Sequence, residues 1–154
     1  MSTIGFDTSN YTTSTAWTDG KTDINVRQIL YVKDGERGIR QSDGVFQHMK
    51  LMPVMYEKLS EQIDFKDVKA VGVSTRPRCV EGSYMPVFLA GEGYAKVVAN
   101  TLGVPLYEFS HQDGHIMAGI YSSGSFELLE NDFISVHLSG GTTEILKSRY
   151  NGFN

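Results

Sequence analysis

The chain reads as a mixed α/β layer fold, and three observations carry that reading. Short runs rich in Thr, Ile and aromatic residues open it. Strand-like apolar runs then alternate with stretches whose apolar residues recur every three or four positions. Two further strand-like runs close it around a glycine pair.

Ser2 to Asp7 predicts the first strand, bounded by the turn-forming Thr8, Ser9 and Asn10. Tyr11 to Thr18, "YTTSTAWT", predicts a second, because β-branched and aromatic side chains suit a pleated surface. "DGK" turns the chain, and Asn25 to Val32 predicts the third. Lys33 to Gly44 is polar, glycine-bearing and looped. Phe46, Met49, Met52, Tyr56, Leu59 and Ile63 then fall at helical spacing, with Pro53 as a blemish. Val68 to Thr75 has the short apolar character of a buried parallel strand. After the loop "RPRCVEGSYM", Pro86 to Leu102 predicts a helix ended by Gly103 and Pro105, with Gly91, Ala95 and Ala99 as a small-residue ridge for packing on the sheet. Leu106 to Ser110 predicts a strand, and His111 to Tyr121 a helix with Ser110 as its N-cap. "ELLEND" reads as a solvated turn. Phe133 to Leu138 and Thr143 to Arg149 predict strands joined by "SGGT". The order βββαβαβα followed by a β-hairpin combines an antiparallel meander with parallel crossovers, which is a ribonuclease-H-like outline.

The 154 residues carry a net charge of −4, so no general electrostatic attraction to nucleic acid or anionic membrane is expected. Any contact with RNA would use a local patch or partners. With Cys79 the only cysteine, no intramolecular disulfide can form, which suits a reducing cytoplasm. The N-terminus lacks the basic and apolar segments of a signal peptide, and no run approaches the ~20 apolar residues that span a bilayer.

Four stretches can carry chemistry. In "FSHQDGHIMAG", His111 and His115 stand four residues apart, so on a helix they share a face and can reach one divalent ion. Gln112 occupies the place where zinc proteases carry Glu, and Asp113 projects away from the histidine face. An ion there would bind a phosphate or carboxylate rather than activate water. The bland alternative is a pair of polar residues at a helix start. In "GFDTSNYTTST", Asp7, Thr8 and Ser9 can hold a metal-bound phosphate, or form an Asx-type turn. In "LSGGTTE", Ser139, Gly140, Gly141, Thr142 and Thr143 can let a phosphate approach backbone N–H groups, or form a plain hairpin. In "STRPRCVEGS", Arg76 and Arg78 follow the carboxyl end of a parallel strand and can clamp an anion, or lie in a solvated loop. Cys79 has no neighbouring His to activate it. His48 is expected to be structural, and His137 receives no role.

Together "GFDTSNYTTSTA", "HQDGH" and "HLSGGTTEIL" resemble, in order and spacing, the TsaD/Gcp/YgjD family. Its members were first labelled O-sialoglycoprotein endopeptidases (glycoproteases, hence hydrolases). They are understood as the tRNA threonylcarbamoyladenosine synthase component, within the actin/Hsp70/sugar-kinase (ASKHA) superfamily. The resemblance implies His111 and His115 as ligands of a divalent metal (Fe, Zn or Mg). It implies Ser139 to Thr143 as the loop contacting a nucleotide-linked substrate, an ATP-derived adenylate, with Asp7 and the following turn on the phosphate side. It names no catalytic residue. The expected partners are tRNA, met within a complex, and a TsaB-like protein; no membrane is expected.

Three departures stand out: Arg76-Pro77-Arg78 in place of a Gly-Pro-Gly loop, "GERGIRQSDGVFQH" in place of the usual lead-in to the first helix, and Thr142 in place of His. They suggest a divergent paralogue. Family members are about twice as long, as two-domain proteins are. The resemblance therefore implies an N-terminal lobe over residues 1–130 and the start of a second over 131–154. By itself this would offer half a cleft, inactive alone, of an acyltransferase formerly described as a metalloendopeptidase. Two rival readings are a non-catalytic TsaB-like scaffold and a sugar-kinase-type phosphotransferase.

Overall fold

Ile4 and Phe6 sit on one face of the first strand, and the fold is organised around that face. The computed structural model describes residues 1–36, 38–138 and 143–152. In chain order these form β1 (Ser2–Asp7), β2 (Thr12–Thr18), β3 (Asp23–Ile29), α1 (Gln41–Ser60), β4 (Val68–Arg76), α2 (Phe88–Leu102), β5 (Leu106–Ser110), α3 (His111–Ser123), β6 (Phe133–Leu138) and β7 (Thr143–Ser148). The succession is the one the sequence predicts. The chain divides into two compact units, residues 1–112 and 113–154, with the division inside α3.

In the first unit the strands lie in the order β3-β2-β1-β4-β5. β1 pairs antiparallel with β2 and parallel with β4, and β4 pairs parallel with β5. The turn between β2 and β3 closes through Asp19, whose Oδ1 accepts from the N–H groups of Lys21 (2.8 Å) and Thr22 (2.7 Å), with Gly20 at φ 86°. β3 ends at Ile29, short of the expected Val32. Leu30 instead leaves the strand line and is buried, its N–H bonded to Tyr11 O at 2.8 Å.

One core joins Ile4 and Phe6 of β1, Val71 and Val73 of β4, Met52 and Leu59 of α1, and Ala95 and Ala99 of α2. Both helices therefore cover the same sheet face. The α1 face corrects the sequence reading. Phe46 and Met49 are exposed, and the buried positions are Gly44, His48, Met52, Met55 and Leu59. The first turns come too close to their neighbours for a large side chain: a Cβ on Gly44 would lie 2.9 Å from Val87 Cγ1. His48 is fully buried and its Nδ1 shares a 2.7 Å hydrogen bond with Thr13 Oγ1. Burial pushes its imidazole down, against the opposing pull of the Asn10 backbone and the Asp7 charge.

The ridge of α2 behaves as expected. Gly91, Ala95 and Ala99 are all buried, and the helix stops at Gly103 in the left-handed region (φ 66°). Gly91 serves a specific contact. Thr8 Oγ1 donates to Val87 O (2.8 Å) and accepts from Gly91 N–H (3.1 Å), clasping the start of α2 to the end of β1.

In the second unit β6 and β7 form an antiparallel hairpin, with Phe133 opposite Ser148 and Leu138 opposite Thr143. The acidic stretch expected as a turn contains a short 3-10 helix, Phe126–Glu130, whose Phe126 ring meets Tyr121 edge-on at 6.1 Å. Ser139, Gly140, Gly141 and Thr142 lie outside the described residues.

A Cβ on Gly91 would sit 2.9 Å from Thr8 Oγ1, whereas one on Gly93 meets nothing within 4 Å. Gly93→Ala is expected to stabilise the protein by about 1 kcal/mol through helix propensity. Gly91→Val is expected to destabilise it by about 2–3 kcal/mol through overpacking. Urea unfolding of the two variants checks the opposite signs.

Candidate functional site

β1, β4 and β5 run parallel, so their carboxyl ends reach one rim of the sheet, the rim where α/β folds bind ligands. Asp7 ends β1, Arg76 ends β4, and Ser110 ends β5 and leads directly into His111, the first residue of α3.

Asp7 is the most heavily engaged group there. Its Oδ1 accepts from Ser9 N–H at 2.8 Å, the Asx-type turn that the sequence offers as an alternative. Its Oδ2 lies 2.8 Å from His111 Nδ1. Burial alone would raise the carboxyl. The hydrogen bond and positive charge of His111, with hydrogen bonds from Ser74 and Ser9, outweigh burial and bring it down to about 2. In the neutral form of this ring, a carboxylate on Nδ1 selects the tautomer with the proton on Nδ1 and the lone pair on Nε2. A carboxylate behind the distal nitrogen of an imidazole is the arrangement that orients metal-binding histidines. Phe88 supports the ring, with centroids 6.3 Å apart. The residues on the first-unit side therefore fit a cation at His111. Asp7 does so from behind the imidazole.

Of the other residues singled out in the first turn, Thr8 has its hydroxyl committed to the α2 clasp, and Ser9 contributes its N–H to Asp7. His48 is structural, as expected. Arg76 is half-buried and Arg78 exposed. Cys79 is a free, exposed thiol with Arg76 Nη2 at 3.9 Å from its Sγ.

His115 follows His111 by one turn of α3 and belongs to the second unit. There its ring lies against His137, with centroids 5.3 Å apart and planes 31° from parallel. His137 Nδ1 is 3.7 Å from Glu144 Oε2. The sequence reading gave His137 no role, although strand alternation and the hairpin register, which sets His137 opposite Glu144, carried the signal. Thr143 opens β7 and is exposed. Among the described residues no group of three or more His, Cys, Asp or Glu is arranged to hold a metal ion. Among the same residues no helix is long and apolar enough to cross a membrane.

Comparison with known proteins shows the family of the chain. The family model described as "TsaD: tRNA N6-adenosine threonylcarbamoyltransferase" matches residues 35–154. The tRNA N6-adenosine threonylcarbamoyltransferase of Christiangramia forsetii is 33% identical over 98 residues, covering 63% of this chain and 27% of that protein. The Pyrobaculum calidifontis protein of the same name is 28% identical over 144 residues, covering 92% of this chain and 40% of its own. The chain thus spans less than half the length of these curated relatives. Among solved structures, YeaZ from Pseudomonas aeruginosa superposes with a TM-score of 0.53 at 13% identity, covering 96% of this chain and 65% of that one. A protein described as similar to peptidase YEAZ from the same organism gives 0.55 at 12%, with 96% and 64% covered. At these identities the likeness establishes the fold.

The Asp7 carboxyl is lowered from 3.8 to about 2, so its ionised form favours folding above pH 3.8, and that contribution is lost as pH falls through about 2. Asp7→Asn is expected to cost about 2 kcal/mol at pH 7. Denaturant titrations at pH 7, 4 and 2.5 should show the gap narrowing with acidification. An unchanged gap would contradict the assignment.

Proposed function

The chain belongs to the TsaD family of tRNA N6-adenosine threonylcarbamoyltransferases, and from that premise we propose that it forms the N-terminal, metal-bearing part of such a transferase. In the transfer, the exocyclic amine of a tRNA adenosine attacks the carbamoyl carbon of an acyl adenylate. The bond from that carbon to the phosphate oxygen breaks, AMP departs, and the amine loses a proton. The observation that carries the reading is the Asp7 carboxylate on His111 Nδ1 at the head of α3.

His111, held in one ring orientation by Asp7, and His115 one turn later would supply two nitrogen ligands to a divalent ion. Such an ion would offer positive charge to the phosphate-linked acyl group. Two imidazoles leave coordination positions for substrate oxygens or further ligands. Ser9 fixes Asp7 through its backbone, and Thr8 fixes the α2 terminus beside it. The family resemblance assigns Ser139 to Thr143 to contact with the adenylate; of these only Thr143 is among the described residues. Water must be kept from the acyl adenylate, so closure by further protein or by tRNA is part of the proposal.

A second reading, a TsaB-like assembly lobe, is supported by apolar side chains exposed on the helices: Phe46, Met49 and Val54 of α1 and Val97 of α2. In that reading the helices bind a partner and the histidines are dispensable.

Nucleoside analysis of tRNA from cells deprived of the gene separates the two. Loss of threonylcarbamoyladenosine, restored by the wild-type gene and not by the His111→Ala, His115→Ala variant, is the expected result. Persistence of the nucleoside contradicts the transferase reading, and rescue by the double variant favours the assembly role. In purified protein the double variant is expected to lose its bound divalent metal. Asp7→Ala is expected to weaken metal affinity by about 10–100-fold, read by calorimetric titration.

A further inference from the structure

β4 ends on a cation, Arg76, with no carboxylate partner among the described residues. Arg76 is the last residue of the strand and is half-buried. Its guanidinium makes two contacts, Nη1 to Thr75 Oγ1 at 3.3 Å and Nη2 to Cys79 Sγ at 3.9 Å. Both partners are neutral groups, and among the described residues no carboxylate pairs with it. The chain carries 18 Asp and Glu against 14 Lys and Arg, so acidic partners are plentiful elsewhere. A half-buried guanidinium bonded only to neutral groups keeps donors to spare, and its planar fork matches an oxyanion.

The backbone holds this arrangement in place. The β4–β5 pairing shifts register between Ser74 and Arg76, and such an irregularity re-aims the side chain at the end of a strand. Arg76 is then set opposite Ser110, the residue that precedes His111. Pro77 O accepts from Gln112 N–H at 3.1 Å, tying the loop to the first turn of α3. Arg78 N–H donates to Ser83 Oγ at 3.0 Å on the other side. Arg76 thus shares the rim with the Asp7–His111 pair, and Ser74, two residues before it, bonds to Asp7.

We propose that Arg76 is the receptor for an oxyanion of the small-molecule substrate, a phosphoryl or carboxylate group, and that it determines which substrates this chain accepts. The inference deepens the transferase reading, and the identity of the natural substrate rests on that reading. The anion site itself does not. Half-burial favours a small ligand over the phosphate backbone of a nucleic acid, which would be met by exposed groups such as Arg78.

The test is calorimetric binding to the whole chain, with AMP as the phosphoryl probe and N-carbamoyl-L-threonine as the carboxylate probe, at fixed low salt. Wild type is expected to bind one of them, and the probe that binds identifies the source of the oxyanion. Arg76→Gln is expected to weaken that binding by about tenfold or more, and Arg76→Lys to restore only part of it, because a point charge lacks the fork. Without ligand, Arg76→Gln is expected to leave the melting temperature unchanged or raise it. A fall would instead mark Arg76 as a structural residue and overturn the proposal. Wild-type protein that binds neither probe overturns it, as does Arg76→Gln protein that binds like wild type. Loss of tRNA binding with both probes unaffected overturns it in favour of a nucleic-acid contact. The same titrations in EDTA are expected to keep the Arg76-dependent binding, and binding that vanishes with the chelator overturns the proposal, so failure of the metal reading and failure of this inference are read separately.

Discussion

A buried carboxylate placed against an imidazole is the constraint on which the site depends. Asp7 ends the central strand β1 and His111 begins α3, with β4 lying between β1 and β5 in the sheet. The 2.8 Å contact between them therefore bridges over a strand. Burial opposes the charge on Asp7, and the surrounding hydrogen bonds and the imidazole overcome that cost. An interaction so assembled fixes direction as well as contributing stability. It aims Nε2 of His111.

The layers behind the rim keep that geometry rigid. Ile4 and Phe6 anchor β1 in the core, and Thr8, the residue after Asp7, locks onto α2 through Val87 and Gly91. A helix approaching that closely requires glycine at its contact point, which explains Gly91 in physical terms. The same logic operates at Gly44, where α1 comes up to Val87. Small residues thus bring two helix starts to the end of the strand that carries the carboxylate.

Much of the fold was legible because period-two and period-three-to-four patterns are bounded by turn residues. β1, β5 and β6 have the predicted limits, and Gly103 ends α2 as its position implies. The face of α1 was not legible. Phe46 and Met49 fit the spacing of an apolar stripe, while the positions that pack against neighbours are Gly44 and His48, which hydrophobic patterning does not count. The site was legible in part. The spacing of His111 and His115 singled them out, and the family resemblance is upheld by the match over residues 35–154. Asp7 was assigned to the phosphate side of a turn. Its pairing with His111 spans 104 residues of sequence, and no local pattern records which strands will end side by side. The hairpin register sets His137 opposite Glu144 but does not record its contact with His115, and Ser139 to Thr142 lie outside the described residues.

Anomalous diffraction from crystals of the chain grown with zinc would locate the ion. One ion is expected, bound to His111 Nε2 and to a ring nitrogen of His115, with Asp7 still on His111 Nδ1. Zinc found elsewhere, or ligated by Asp7 with the His111 ring turned away, would contradict it.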